Sequence, residues 1–130
     1  MILTPPRKDD VGSLLVHITH GPEAQTRAAL GFLVAKAAAD SGHEVTMFLA
    51  GDAAYLIKDE VIAGLRGIGT GSLEESFAAV VEAEIPLFVS GMSAKGRGVT
   101  EADLEGKGAS FAMPAKLVEL TFAADRVLTY

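Results

Sequence analysis

The stretch Pro86-Leu87-Phe88-Val89-Ser90-Gly91-Met92-Ser93-Ala94-Lys95-Gly96-Arg97-Gly98 decides how the chain is read. Leu87-Phe88-Val89 is a short apolar run, as expected of a strand buried in a sheet. From Ser90 onward the residues are small or glycine, and Lys95 and Arg97 add two cations. The stretch therefore reads as a buried strand that feeds a glycine-rich loop at its carboxyl end. The rest of the chain reads as scaffold around that loop.

Working outward, Ser72 with Glu75 forms a capping-box pattern that starts a helix over 73–83. Before it, Gly67-Ile68-Gly69-Thr70-Gly71 reads as a flexible connector. Residues 44–50 are a second strand followed by Gly51-Asp52, and 53–65 form one helix or two short pieces parted near Lys58. Residues 14–19 are a first strand, broken by His20-Gly21-Pro22. A long helix then runs from Glu23 to about Asp40. Its apolar positions (Ala24, Ala28, Leu30, Phe32, Val34, Ala35 and Ala38) are wider than a single stripe, so it is largely buried. Downstream, Thr100 with Asp103 caps a short helix near 102–105, 108–112 form a fourth strand, Pro114 starts a helix to about Ala124, and 126–130 form a fifth strand. Strands alternate with helices throughout. That pattern implies an α/β fold: a three-layer sandwich with a mostly parallel sheet of about five strands, flavodoxin-like in architecture. One domain is expected over 14–130, preceded by a flexible N-terminal arm at 1–13.

A chain of 130 residues buries roughly two-thirds of its unfolded surface and needs no disulfide or metal to fold. Apolar residues make up 49% and aromatics only 6%, so the core must be aliphatic. Mean hydropathy of +0.33 is high for a small domain and points to apolar surface covered in an oligomer. Cysteine is absent, which excludes disulfides, thiolate metal sites and thiol redox chemistry on this chain. That composition fits a cytoplasmic protein. No signal-peptide pattern and no run of ~18 apolar residues is present, so no membrane partner is expected. The net charge of -6 argues against binding duplex nucleic acid.

In open parallel sheets, ligands sit beyond the carboxyl ends of the strands. Three such ends can be named: Thr19-His20-Gly21, Gly51-Asp52, and the stretch from Ser90 to Gly98. In the third, Gly91, Gly96 and Gly98 free backbone amides to face a ligand, Lys95 and Arg97 supply charge, and Ser90 and Ser93 offer hydroxyls. These seven residues read either as a small-anion cradle or as a solvated glycine loop. Ser90 or Ser93 with His20 and Asp52 supplies the residue types of a nucleophile, base and orienter. No Gly-x-Ser-x-Gly elbow accompanies them. His17 is read as a packing histidine. Residues 67–71 are similar to a dinucleotide loop but follow a helix, not a strand. His17, His20 and His43 lack metal-type spacing, so neither a metal nor a cofactor is expected.

The chain resembles the DsrE/DsrF-like (YchN-like) family, which is linked to sulfur relay and sulfur oxidation. The likeness runs through Val16-His17-Ile18-Thr19-His20-Gly21-Pro22-Glu23, then Val45-Thr46-Met47-Phe48-Leu49-Ala50-Gly51-Asp52. It continues through 87–99 and ends on Ala124-Asp125-Arg126-Val127-Leu128-Thr129-Tyr130. Sulfur-handling members carry patterns like Val-Cys-Gly-x-Cys/Ser-x-x-x-Arg-Gly at the end of the third strand. Aligned on Arg97-Gly98, this chain has Ser90 and Ser93 at the two cysteine positions. The resemblance implies the fold and a homotrimer or hexamer. A persulfide needs a thiolate, so it does not imply sulfur transfer here.

Three functions fit these residues. The first is a non-catalytic assembly member that binds a small anion or a protein partner at 90–98. The second is an enzyme using Ser90, Ser93, His20 and Asp52, and the third is a nucleotide-binding module on the same sheet.

Overall fold

A computed structural model describes residues 11–130. Apart from its last three residues, the arm expected at 1–13 lies outside the described residues. Five parallel strands form the sheet: β1 (Ser13–Ile18), β2 (Glu44–Leu49), β5 (Leu87–Ser90), β6 (Ala109–Ala112) and β7 (Arg126–Thr129). Their order across the sheet is β6-β5-β2-β1-β7. The chain therefore steps in one direction from β1 through β2 and β5 to β6, then returns past all of them to β7. Right-handed crossovers put the first set of helices on one face and the returning helix on the other. The expected α/β three-layer sandwich is what forms.

The first face holds the main core. Register pairs Val16 with Met47 and Met47 with Leu87, and likewise Ile18 with Leu49 and Leu49 with Val89. All six side chains are buried in one cluster against α1 (Gln25–Asp40) and α3 (Leu73–Glu82). Phe32 of α1 stacks on Phe77 of α3 at 5.2 Å. Ser72 accepts the Glu75 N–H at 3.4 Å, the side-chain cap expected from the sequence. The second face carries Leu15, His17, Phe48 and Phe88, and one helix, α6 (Pro114–Ala123), returns across it. Lys116 of α6 sits 5.2 Å from the Phe88 ring centre.

That second outer layer is thin. No residue of α6 or of β7 is buried. Phe122 is 87% exposed and Val118 is 55% exposed, and Val127 and Leu128 of the edge strand also face out. Part of the chain's apolar content is thus left uncovered here, although most of it is in the core.

Two expectations are corrected. Residues 67–71 are not a free connector but the turn of a small hairpin. β3 (Arg66–Gly67) pairs antiparallel with β4 (Gly71–Ser72), and Gly69 and Gly71 adopt left-handed φ of 76°. The segment after β5 is not a glycine loop: Gly91–Lys95 is a short helix, α4. The ambiguous stretch at 53–65 resolves into two pieces parted at Lys58. A 3₁₀ segment spans Gly51–Ile57 and α2 spans Asp59–Gly64. The long first helix is preceded by a 3₁₀ turn, Pro22–Ala24. A further helix, α5 (Glu101–Leu104), carries the capping box of Thr100 and Asp103.

Candidate functional site

Strands β1, β2 and β5 are neighbours in the sheet, so their carboxyl ends lie side by side. The three segments named from the sequence share that edge. Their close approach is built into Gly21, where a Cβ would stand 2.1 Å from the Asp52 carbonyl oxygen. Only a residue without a side chain fits there.

Ser90 is the N-cap of α4, and its hydroxyl accepts the Ser93 N–H at 3.2 Å. This cap turns the strand into a helix at once, satisfying one of the amides that a helix start leaves unpaired. The Ser93 hydroxyl accepts the Gly51 N–H at 2.8 Å, which ties α4 to the segment after β2. Gly51 has φ of 58°, a left-handed value that suits glycine there. One turn further on, Arg97 donates from Nε to Asp52 Oδ1 at 3.0 Å and from Nη1 to the Ser93 carbonyl at 3.2 Å. Its guanidinium lies 5.9 Å from the Tyr55 ring centre. Ser90, Ser93, Asp52 and Arg97 thus belong to one hydrogen-bonded network.

The rest of the expected cradle is different. Gly91 lies within α4, and Gly96 has an ordinary right-handed φ of -69°. Of the three glycines only Gly98, with φ of 69°, takes a backbone shape that favours glycine. The Gly96 amide is already bonded to the Met92 carbonyl, while Gly98 lies beyond the end of the helix. Lys95 is exposed and has no ion-pair partner among the described residues. The charge of Arg97, by contrast, is already balanced by Asp52.

His20 shares the edge but joins a separate network. Its Nδ1 is 2.8 Å from Glu23 Oε2, and Arg27 Nη1 is 3.2 Å from its Nε2. Arginine can only donate, so Nε2 is the acceptor and Nδ1 carries the proton towards Glu23. Burial raises the Glu23 carboxyl. Hydrogen bonds from the Gly21 N–H, from His20 and from its own backbone outweigh that and hold it below the ordinary value. With both ring nitrogens occupied, His20 is not joined to either serine hydroxyl. The serines in turn each accept a backbone N–H, and the nucleophile–base pair suggested by residue type is not assembled.

Glu23, Arg27 and Tyr55 were not singled out in the sequence. The signal was present: Glu23 and Arg27 follow His20 by three and seven residues, and Tyr55 follows Asp52 by three. Pro22, Glu23, Asp52 and Tyr55 line a cleft of about 340 Å3 between the two networks.

His17 lies on the second face, 6.0 Å edge-on from Phe48. Its Nε2 is buried without a partner among the described residues, and burial lowers its pKa from 6.5. His43 lies at the opposite, amino edge, where its Nδ1 accepts the Gly12 N–H at 3.1 Å. Among the described residues, no three His, Asp or Glu side chains gather where they could hold a metal ion. No helix among them is long and apolar enough to cross a membrane.

Comparison with known proteins agrees with this architecture. The model of the DsrE/DsrF-like family matches residues 12–130. Among solved structures, that of the YchN protein from E. coli superposes with a TM-score of 0.70 at 21% identity, covering 92% of this chain and 99% of that one. At that identity the likeness is one of fold. No curated protein sequence matches the chain.

Proposed function

Because the chain belongs to the DsrE/DsrF-like family, we propose that it acts as an assembling member of a sulfur-relay-like family that carries no sulfur itself. The observation that carries this reading is the uncovered second face. An edge strand and a helix without one buried residue leave an open apolar surface of Val118, Phe122 and Val127, with Leu128 exposed beside it at the sheet edge. A homotrimer or hexamer covers it with copies of the chain.

The strand-end network supports a contact role over a chemical one. On the resemblance, Ser90 and Ser93 stand where sulfur-handling relatives carry cysteines, and an oxygen cannot supply the sulfur–sulfur bond of a persulfide. A free small anion would have to displace Asp52 from Arg97, leaving Lys95 as the one uncommitted cation of the segment. A segment of a protein partner, which can bring its own hydrogen bonds to Lys95 and Ser93, suits the edge better. The enzyme reading lacks a base beside either serine. The nucleotide reading has no glycine-rich phosphate loop, since 67–71 form a hairpin.

The test is the mass of the purified chain in solution, measured by light scattering, with Phe122→Glu as the disrupting variant. A trimer or hexamer that the variant reduces to monomer is the expected result. A wild-type monomer at all concentrations would sink the assembly reading.

A further inference from the structure

A second apolar feature lies on the first face of the molecule, away from α6. Between α2 and α3 runs a shallow groove of about 370 Å3. Its floor is Ile62, Phe77, Ala78 and Val81, and its rim is acidic, formed by Asp59, Glu74 and Glu82. Lys107 is the one cation lining it. That ammonium is committed to Asp59 Oδ1 at 2.7 Å and to the carbonyls of Ile57 and Asp103 at 2.9 and 2.6 Å. Glu74 and Glu82 are exposed and have no ion-pair partner among the described residues. Along α3 they stand four residues to either side of Ala78, one turn each way, so the two positions are about 12 Å apart along the helix axis with apolar lining between them.

We infer that this groove docks a helical segment of another protein, one that presents an apolar side chain between two Lys or Arg residues placed one turn to either side. The apolar residue would enter the notch at Ala78 while the cations pair with Glu74 and Glu82, a helix-in-groove contact steered by complementary charge. Charge also selects this occupant over a second copy. The chain carries 17 acidic residues against 11 basic ones, so its own copies bring mainly carboxylates to an acidic rim. The inference is independent of assembly through α6, which lies on the other face, and β7 at the sheet edge.

The experiment uses the isotope-labelled full chain and a synthetic alanine-based helical peptide with one leucine and a lysine four residues to either side. Amide shifts are followed during titration. The expected result is movement at Ile62, Ala78 and Val81, weakened about tenfold by the double change Glu74→Lys with Glu82→Lys. Added salt should weaken binding further. Circular dichroism checks that the double variant folds. Ala78→Arg, which fills the notch from an exposed position, is the second variant and should abolish the shifts. Any of four outcomes overturns the inference: no shifts; shifts that survive both variants; equal binding of a peptide with glutamates for lysines; or dilution-dependent shifts of the groove in the protein alone, which would make a second copy its occupant.

Discussion

Both Nε and Nη2 of Arg97 lie 3.0 Å from one and the same oxygen of Asp52, Oδ1. This pair bridges the segment after β5 to the segment after β2. It therefore holds together two strand ends that the sheet itself joins only further down. The side chains are 28% and 44% exposed, so solvent screens the charge.

A double-mutant cycle on Arg97→Ala and Asp52→Ala should give a coupling of about 0.2–1 kcal/mol, the range for exposed ion pairs. Arg97→Ala alone should cost more than Asp52→Ala, because it also gives up the Ser93 carbonyl and the Tyr55 ring. Denaturant midpoints measure all four proteins. Zero coupling would show that the pair is a contact without mutual stabilisation.

The pH dependence of stability should carry the mark of His17. Burial lowers its folded-state pKa below 6.5, so the unfolded chain takes up this proton first. Stability is then full above 6.5 and declines as pH falls through 6.5 towards the folded value. In His17→Phe the decline just below 6.5 should be shallower than in the wild type. Parallel profiles would show that His17 contributes nothing to the acid response. At lower pH, Asp103 is held below 3.8, first by the Thr100 N–H and further by Lys58, and Glu23 is held below 4.5. Their contributions are present above those values and are lost only below them.

A thiolate introduced at position 93 should be favoured by its surroundings. In Ser93→Cys the sulfur would take the place of a hydroxyl that already accepts the Gly51 N–H, one turn from Arg97. Both partners favour the anion, so the thiol should titrate below about 8.5, the ordinary cysteine value. With no other cysteine in the chain, ultraviolet thiolate absorbance during a pH titration reads it without background. A pKa at or above that value would show that the site does not stabilise an anion at this position.

Much of this was legible before any coordinates. The alternation of apolar runs with capped helices implies the layer architecture, whereas at 53–65 the sequence leaves one helix or two pieces open and the structure has two. The strand order was not legible. Nothing local to 126–130 says that the run pairs with β1 and not with β6, since that follows from the return crossover. The helix at Gly91–Lys95 is hard to read from the sequence because its glycines suggest a loop and outweigh the cap signal of Ser90, whose hydroxyl accepts the amide three residues on. At the site, residue types placed His20 with the serines. Spacing along its own segment would have placed it with Glu23 and Arg27, and local spacing was the better guide.

The pairing of β7 with β1 has a kinetic consequence. Ser13 and Asp125, which clasp the two strands through the Asp125 carboxylate, are 112 residues apart in the chain. Closing so large a ring is slow relative to the local β1–α1–β2 unit. During refolding, β1 therefore waits with its outer hydrogen-bonding edge open, beside Leu15, Val16 and Ile18. Such an edge recruits strands from other molecules. The last strand thus acts as a guard on the first, and the yield of refolding should depend on how quickly it arrives.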